Sequence, residues 1–262
     1  MAITIHKIES GDDVRLNVLV YGQLGVGKTC LLGSAQDCEE TSPMLLIDVE
    51  GGTLSLSGTS IDIFRPQNFD EIQEVYDFLR FENTEYKSVG IDSLTELQRK
   101  LSMGEILGVL EEDASYTNLA GHKPPDRYDW LQSGEQMRRF IRAFRDLAYL
   151  REKDRRIHVF FSALEKTDEN RSIVCPSLPG ALGVEVGASV DVLARLSIQE
   201  VQTEDGRTRK VRHLSMREEI DENGIRYLGK IRMPKSNSFP TTLINPSASK
   251  LIRLWTAKDQ GG

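Results

Sequence analysis

The chain has 262 residues, 39% of them hydrophobic, enough to bury a core without disulfide or metal staples. Lys+Arg 33 against Asp+Glu 40 leave a net charge of −7, which argues against a protein that coats nucleic acid through whole-surface charge. No apolar run approaches the ~20 residues of a membrane span, and the opening MAITIHKIESGDD lacks the features of a secretory signal. Cys30, Cys38 and Cys175 show no CxxC spacing, so the expectation is a reduced, zinc-free, cytoplasmic protein. The charge is uneven, however: residues 203–253 hold eleven Lys/Arg and six Asp/Glu. A local anion site therefore stays open.

The first half alternates apolar runs with helical patterns, the mark of a parallel sheet covered by helices. Residues 14–21 (VRLNVLVY) read as a strand entering a glycine loop, with a helix to about residue 36. MLLIDVE at 44–50 reads as a buried strand stopped by Gly51 and Gly52. A short strand is expected over 61–64, and then a helix capped by Asn68 or Asp70 that carries Ile72, Val75, Tyr76 and Leu79 on one face. SVGID at 88–92 is the next strand and 94–110 the next helix. Residues 111–132 hold a Pro pair and no apolar period, so they read as a long loop. The following helix, over 133–152, places Met137, Ile141, Phe144 and Ala148 on one face and Arg138, Arg142 and Arg145 on another. IHVFFSAL at 157–164 is a strand, with a second long loop expected over 165–187. From Val190 short alternating strands follow, with hairpin signals at 204–206 and 221–224. The expected organisation is one α/β domain over 1–262: a parallel core over 14–200, then an antiparallel β extension and C-terminal helix over 201–262.

Gly22-Gln-Leu-Gly-Val-Gly-Lys-Thr29 matches GxxxxGK[ST] between a strand and a helix. Glycines let backbone N–H groups turn inward around phosphate oxygens, and the helix N-terminus adds its positive end. Lys28 would reach the β- and γ-phosphates, and the Thr29 hydroxyl would ligate Mg²⁺. The nucleotide contacts expected are Gly22, Gly25, Val26, Gly27, Lys28, Thr29, Cys30 and Asp92, with ATP and Mg²⁺ as ligands. Asp92 ends an apolar strand and serves either as metal ligand, with Thr29, or as a helix cap together with Ser93. Glu50, at the end of another strand, is the candidate for activating water, since carboxyl ends of such strands face the ligand crevice. Asp48 lies two residues earlier on the same pleat face and is open to a structural role. The Cys30 side chain is expected to pack. His158, in an apolar strand, reads as a core histidine.

In order and spacing these segments resemble the RecA-like P-loop ATPases. GQLGVGKT is similar to the family's phosphate loop, LLIDVEGG to the strand ending in its catalytic glutamate, and SVGIDSLTEL to its metal-binding aspartate strand. IHVFFSAL resembles the strand feeding its second DNA-binding loop. Lys230-Ile-Arg232 is similar to the basic pair with which members reach a neighbour's γ-phosphate. The size, without appended domains, is most similar to the small phage-encoded RecA-like ATPases of recombination and single-strand annealing. The resemblance implies a RecA-like fold, catalytic roles for Glu50, Lys28, Lys230 and Arg232, and self-association into a ring or filament. It also implies single-stranded DNA as a partner, and opens a place for a single-strand binding protein or replication partner. The two long loops would then carry DNA contacts through Lys123, Arg127, Tyr128, Trp130, Lys166 and Arg171. Two departures stand out. Ser162-Ala163 occupy the place where recombinases carry an amide sensor, and no N-terminal segment before Val14 is long enough for a separate polymerisation helix. Phe140–Ala143 and Phe160–Ala163 match a subunit-joining FxxA pattern but read as core. The alternatives are a nucleotide-gated scaffold or loader that does not itself handle DNA and, less favoured, a small-molecule kinase.

Overall fold

The computed structural model describes residues 15–108, 124–202, 208–232 and 240–256. Its spine is a single sheet whose main path runs through eight neighbouring strands. Asn17–Gly22 (β1), Met44–Asp48 (β2), Asp62–Phe64 (β3), Ser88–Asp92 (β4) and His158–Asp168 (β5) pair in parallel across five strands. β1, β2 and β4 are buried along their whole length, which explains their unbroken apolar character, while the edge strand β3 is partly exposed. Val192–Gln202 (β7) continues the parallel sheet on the other side of β1. The antiparallel part begins there. Thr208–Ser215 (β8) pairs with the outer half of β7, Thr242–Ile244 (β12) with β8, and Lys230–Ile231 (β11) with the inner half of β7.

Helices cover both faces. One face packs Leu19, Tyr21, Ile47, Val89 and Phe161 against Phe69–Asp77 (α2), a helical segment over 94–106, and Arg127–Asp146 (α5). That segment contains Leu94–Glu96 (α3) and Met103–Ile106 (α4), with π-type turns over Leu97–Ser102 between them. The opposite face packs Val18, Val20, Leu46, Phe160 and Ala194 against Lys28–Gly33 (α1) and Ala248–Thr256 (α7). Burying each such side chain contributes about 1.5–3 kcal/mol, which fixes the register of the central strands.

The sheet therefore has the expected α/β layout, and several details correct the sequence reading. Asn68 does cap α2, accepting from the Glu71 amide at 2.9 Å. The long loop expected over 111–132 is shorter at its end, because Asp126 and Asp129 form a reciprocal capping box that starts α5 six residues early. Arg127, Tyr128 and Trp130 thus stand on the first turns of a helix. Residues 109–123, with Lys123, lie outside the described residues. The second expected loop is largely ordered structure: β5 runs on to Asp168 and turns back through Ile173–Pro176 (β6), and Leu182–Glu185 (α6) follows. Glu219–Ile220 (β9) and Arg226–Tyr227 (β10) extend this small second sheet through the expected 221–224 turn, where Gly224 has φ 77°. The 204–206 hairpin signal lies outside the described residues. Phe140 and Phe160 are 5% and 2% exposed, so both FxxA segments anchor in the core.

Candidate nucleotide site

β1 delivers the chain into the phosphate loop at the carboxyl edge of the sheet, and the loop closes on α1. Gly25 and Gly27 take φ values of 75° and 98°, a region that side chains rarely enter, and Gly27 is the N-cap of α1. Gly22 is fixed by contact rather than by dihedral angle: a Cβ there would lie 2.2 Å from the Leu196 carbonyl oxygen of β7. Lys28 is buried, and its ammonium donates to the Gly22 and Gln23 carbonyls at 3.1 and 2.8 Å, so it lies folded against the inside of the loop. Burial pushes Lys28 below its usual range, while the carboxylates of Glu50, Asp92 and Glu165 pull it back.

Asp92 is the hub. It is 1% exposed; its Oδ2 accepts from the Thr29 hydroxyl at 2.6 Å, and its Oδ1 accepts a short bond from the Ser162 hydroxyl. The cap and site readings of this strand end turn out to be divided between neighbours. Ser93 caps the following helix, accepting from the Glu96 amide at 3.3 Å, which frees the Asp92 carboxylate for the phosphate loop. The Asp92–Ser93 peptide bond is cis. The Asp92 carbonyl in turn accepts from the Val49 and Glu50 amides at 2.8 and 3.2 Å. β2 ends at Asp48, so Glu50 is carried on the turn beyond it, and these two bonds hold that turn against β4. Burial raises the Glu50 carboxyl above its usual range; the Asp92 charge adds to this, and Lys28 and a Ser93 hydrogen bond oppose it.

Lys28, Thr29 and Asp92 thus stand together at the carboxyl edge of the sheet, and the Glu50 carboxyl lies close enough to feel the charges of Asp92 and Lys28. Asp48 resolves to a structural part: its two oxygens take the Gly51 amide at 2.7 Å and the Arg65 Nε at 2.9 Å, which shapes the turn that presents Glu50. Cys30 is exposed rather than packed, a correction that follows from its place on the outward side of the first turn of α1. Lys230 and Arg232 are not brought to this crevice. Lys230 donates to the Gly187 carbonyl and to the Val190 carbonyl at 2.9 Å, and Arg232 reaches the Ala188 carbonyl at 2.8 Å and Asp191 at 3.4 Å. The Arg232 amide donates to the Asp191 carbonyl and the Asp191 amide to the Asn17 carbonyl, so this pair runs toward the start of β1, away from its loop end.

Two participants escaped the sequence reading. Glu165, at the loop end of β5, forms a two-pronged pair with Arg195 at 3.0 and 3.4 Å, and Arg195 stacks on Tyr227 at 4.1 Å. Arg212 of β8 donates through Nε to the Val26 carbonyl at 2.9 Å, against the outside of the phosphate loop. The local excess of Lys/Arg over 203–253 was the one signal that could have pointed to Arg212.

The donor set suits a hard divalent cation. A buried carboxylate and a threonine hydroxyl are oxygen ligands of the kind Mg²⁺ takes, and they adjoin a helix N-terminus fitted to phosphate. No helix among the described residues is long and apolar enough to cross a membrane.

No curated protein matches the sequence. Similar solved structures include the RadB recombinase, at 14% identity over 82% of this chain and 91% of that one, with a TM-score of 0.42. A prototypical ATPase from the type III secretion system of pathogenic bacteria is 14% identical over 70% of this chain and 52% of its own, with a TM-score of 0.40. The assembled ATPase EscN in complex with its central stalk EscO, from enteropathogenic E. coli, is 15% identical over 70% and 42%, with a TM-score of 0.41. The chain thus spans about half or less of these secretion ATPases. A sequence profile described as an AAA domain matches residues 15–222, most of the chain, and the chain belongs to that family, with the fold of a P-loop ATPase.

Proposed function

We propose that the protein is a Mg²⁺-dependent, RecA-like ATPase that acts on single-stranded DNA in recombination, annealing or repair. The observation that carries the hydrolytic part is the convergence of Lys28, Thr29, Asp92 and Glu50 at the carboxyl edge of one sheet. Thr29 and Asp92 would hold the cation, which when bound neutralises charge on the phosphate oxygens. The loop amides and Lys28 bind and orient the β- and γ-phosphates, and Lys28 exchanges its loop carbonyls for phosphate oxygens. Glu50 orients the attacking water and accepts its proton, and its raised pKa makes it a stronger base than an ordinary surface glutamate. Ser162 keeps Asp92 in place from the side of β5, where recombinases carry an amide.

Lys230 and Arg232 would act in a neighbouring subunit's site, leaving the Gly187, Val190 and Ala188 carbonyls that they bond within their own chain. Self-association into a ring or filament follows from that role. The DNA part rests on Tyr128 and Trp130, which are 79% and 43% exposed beside Arg127 on the first turns of α5, as stacking on bases requires.

One observation favours the scaffold or loader reading. Lys166 is bonded to the Leu178 carbonyl and Arg171 is paired with Asp168, so two of the expected DNA contacts are already engaged within the chain. ATP hydrolysis measured with and without single-stranded DNA, with electron microscopy of the same sample, separates the readings. DNA stimulation with rings or filaments supports the first. Hydrolysis indifferent to DNA refutes it in favour of the loader.

A further inference from the structure

The outer wall of the phosphate loop is formed by the C-terminal part of the chain. Arg212 lies across it: Nε donates to the Val26 carbonyl at 2.9 Å, and a Cβ on Gly27 would sit 2.6 Å from Nε and 3.3 Å from a terminal nitrogen. Gly27 thus serves its own left-handed backbone and leaves room for the guanidinium. Among the described residues no carboxylate is in salt-bridge range of Arg212, so its charge stands beside the loop unneutralised.

The backbone under Arg212 is held on two sides. β8 pairs it with Ile198 of β7, while the Arg212 amide donates to Asn245 Oδ1 at 3.2 Å and the Asn245 amide returns to the Arg212 carbonyl at 2.7 Å. Lys250 of α7 donates to the Asn245 carbonyl at 2.9 Å, and the Ala248 amide donates to Ser34 Oγ, just beyond α1, at 2.8 Å. The β8–β12–α7 unit therefore clasps the loop and its helix as one piece.

We propose that Arg212 is a positioning residue of the nucleotide site. It fixes the Val26 carbonyl outward, which keeps the neighbouring loop amides turned inward, and it places a second fixed positive charge next to the phosphates. A phosphate loop binds through amides aimed in advance, so a brace on its outer carbonyl strengthens binding without touching the ligand. This rests on the nucleotide reading above.

The test is titration of a fluorescent ADP analogue with Mg²⁺ into the full chain and into Arg212→Ala, Arg212→Lys and Arg212→Gln, alongside thermal melts without nucleotide. A lost charge-assisted bond predicts affinity about tenfold weaker for R212A. R212K, which keeps charge and a donor, should recover to within about threefold, while melting without nucleotide stays near that of the wild type because the residue is exposed. R212A affinity within twofold of wild type overturns the proposal. If R212A does not fold, R212Q is judged by the same twofold criterion. A wild-type chain that binds no ADP analogue refutes the nucleotide reading itself, whereas wild-type binding with unaffected variants refutes only the brace.

Discussion

Replacing Ser162 with alanine removes one of the two hydroxyls that hold Asp92. Both partners are buried, Ser162 at 0% and Asp92 at 1% exposure, so no water replaces the lost donor. A hydrogen bond to a charged group is worth about 1.5–3 kcal/mol, and here the remaining acceptor is left short of a partner inside the fold. For a domain of this size each kcal/mol moves the melting temperature by about 2–4 °C, so S162A should melt roughly 3–12 °C lower. Thr29 still donates to the other carboxylate oxygen at 2.6 Å, so the site is weakened rather than dismantled. The assay is a thermal melt of both proteins, with and without Mg²⁺ and ADP. Coupling through Asp92 is isolated by a cycle with Asp92→Asn, in which the serine effect should shrink by at least half. A melting temperature for S162A within 1 °C of wild type would refute the hub described for Asp92.

His158 is buried neutral with its pKa depressed to about 3, first by burial and then by Arg15, while its Nδ1 accepts from the Leu16 amide at 3.0 Å. The unfolded chain takes up that proton near pH 6.5, so acid favours unfolding; between pH 7 and 5 the residue should remove about 2 kcal/mol of stability. In urea unfolding, His158→Asn should lose less stability than wild type over that interval, and equal pH slopes would contradict the assignment. The trans role of Lys230 and Arg232 predicts that hydrolysis per subunit rises with protein concentration and that Arg232→Ala lowers the assembled rate by about 10³-fold. A rate per subunit that stays constant over a wide dilution series rules that role out.

The phosphate loop and the two carboxylate strand ends could be read from sequence because each sits where an apolar run stops, and that boundary is written in residue types. Glu50 stands on the turn past β2 rather than on its last residue: β2 stops at Asp48, whose carboxylate closes the turn by taking the Gly51 amide. Only tertiary pairing with Arg65 reveals that part. The second long loop was misread because β5 loses its apolar character at Glu165, where one side of the strand meets Arg195 instead of the core. Ion pairs across strands leave no periodic trace. The early start of α5 was visible in principle, since Asp126 and Asp129 have capping-box spacing, but the Pro pair just before them masked it. The basic stretch over 203–253 hints at Arg212 without separating it from its neighbours, because its role depends on β8 folding back over a loop 186 residues away.

The central claim is that Glu50 acts on water at a Mg²⁺-nucleotide site, and phosphate release by wild type and Glu50→Gln, measured with nucleotide affinity on the same preparations, tests it most directly. E50Q keeps the size of the side chain and should bind the nucleotide within about threefold of wild type while releasing phosphate about 10²–10⁴-fold more slowly. The wild-type rate should fall with acid above the usual glutamate range, because burial and Asp92 raise the Glu50 pKa, and that limb should vanish in E50Q. Phosphate release by E50Q at the wild-type rate, with nucleotide bound, would contradict the claim.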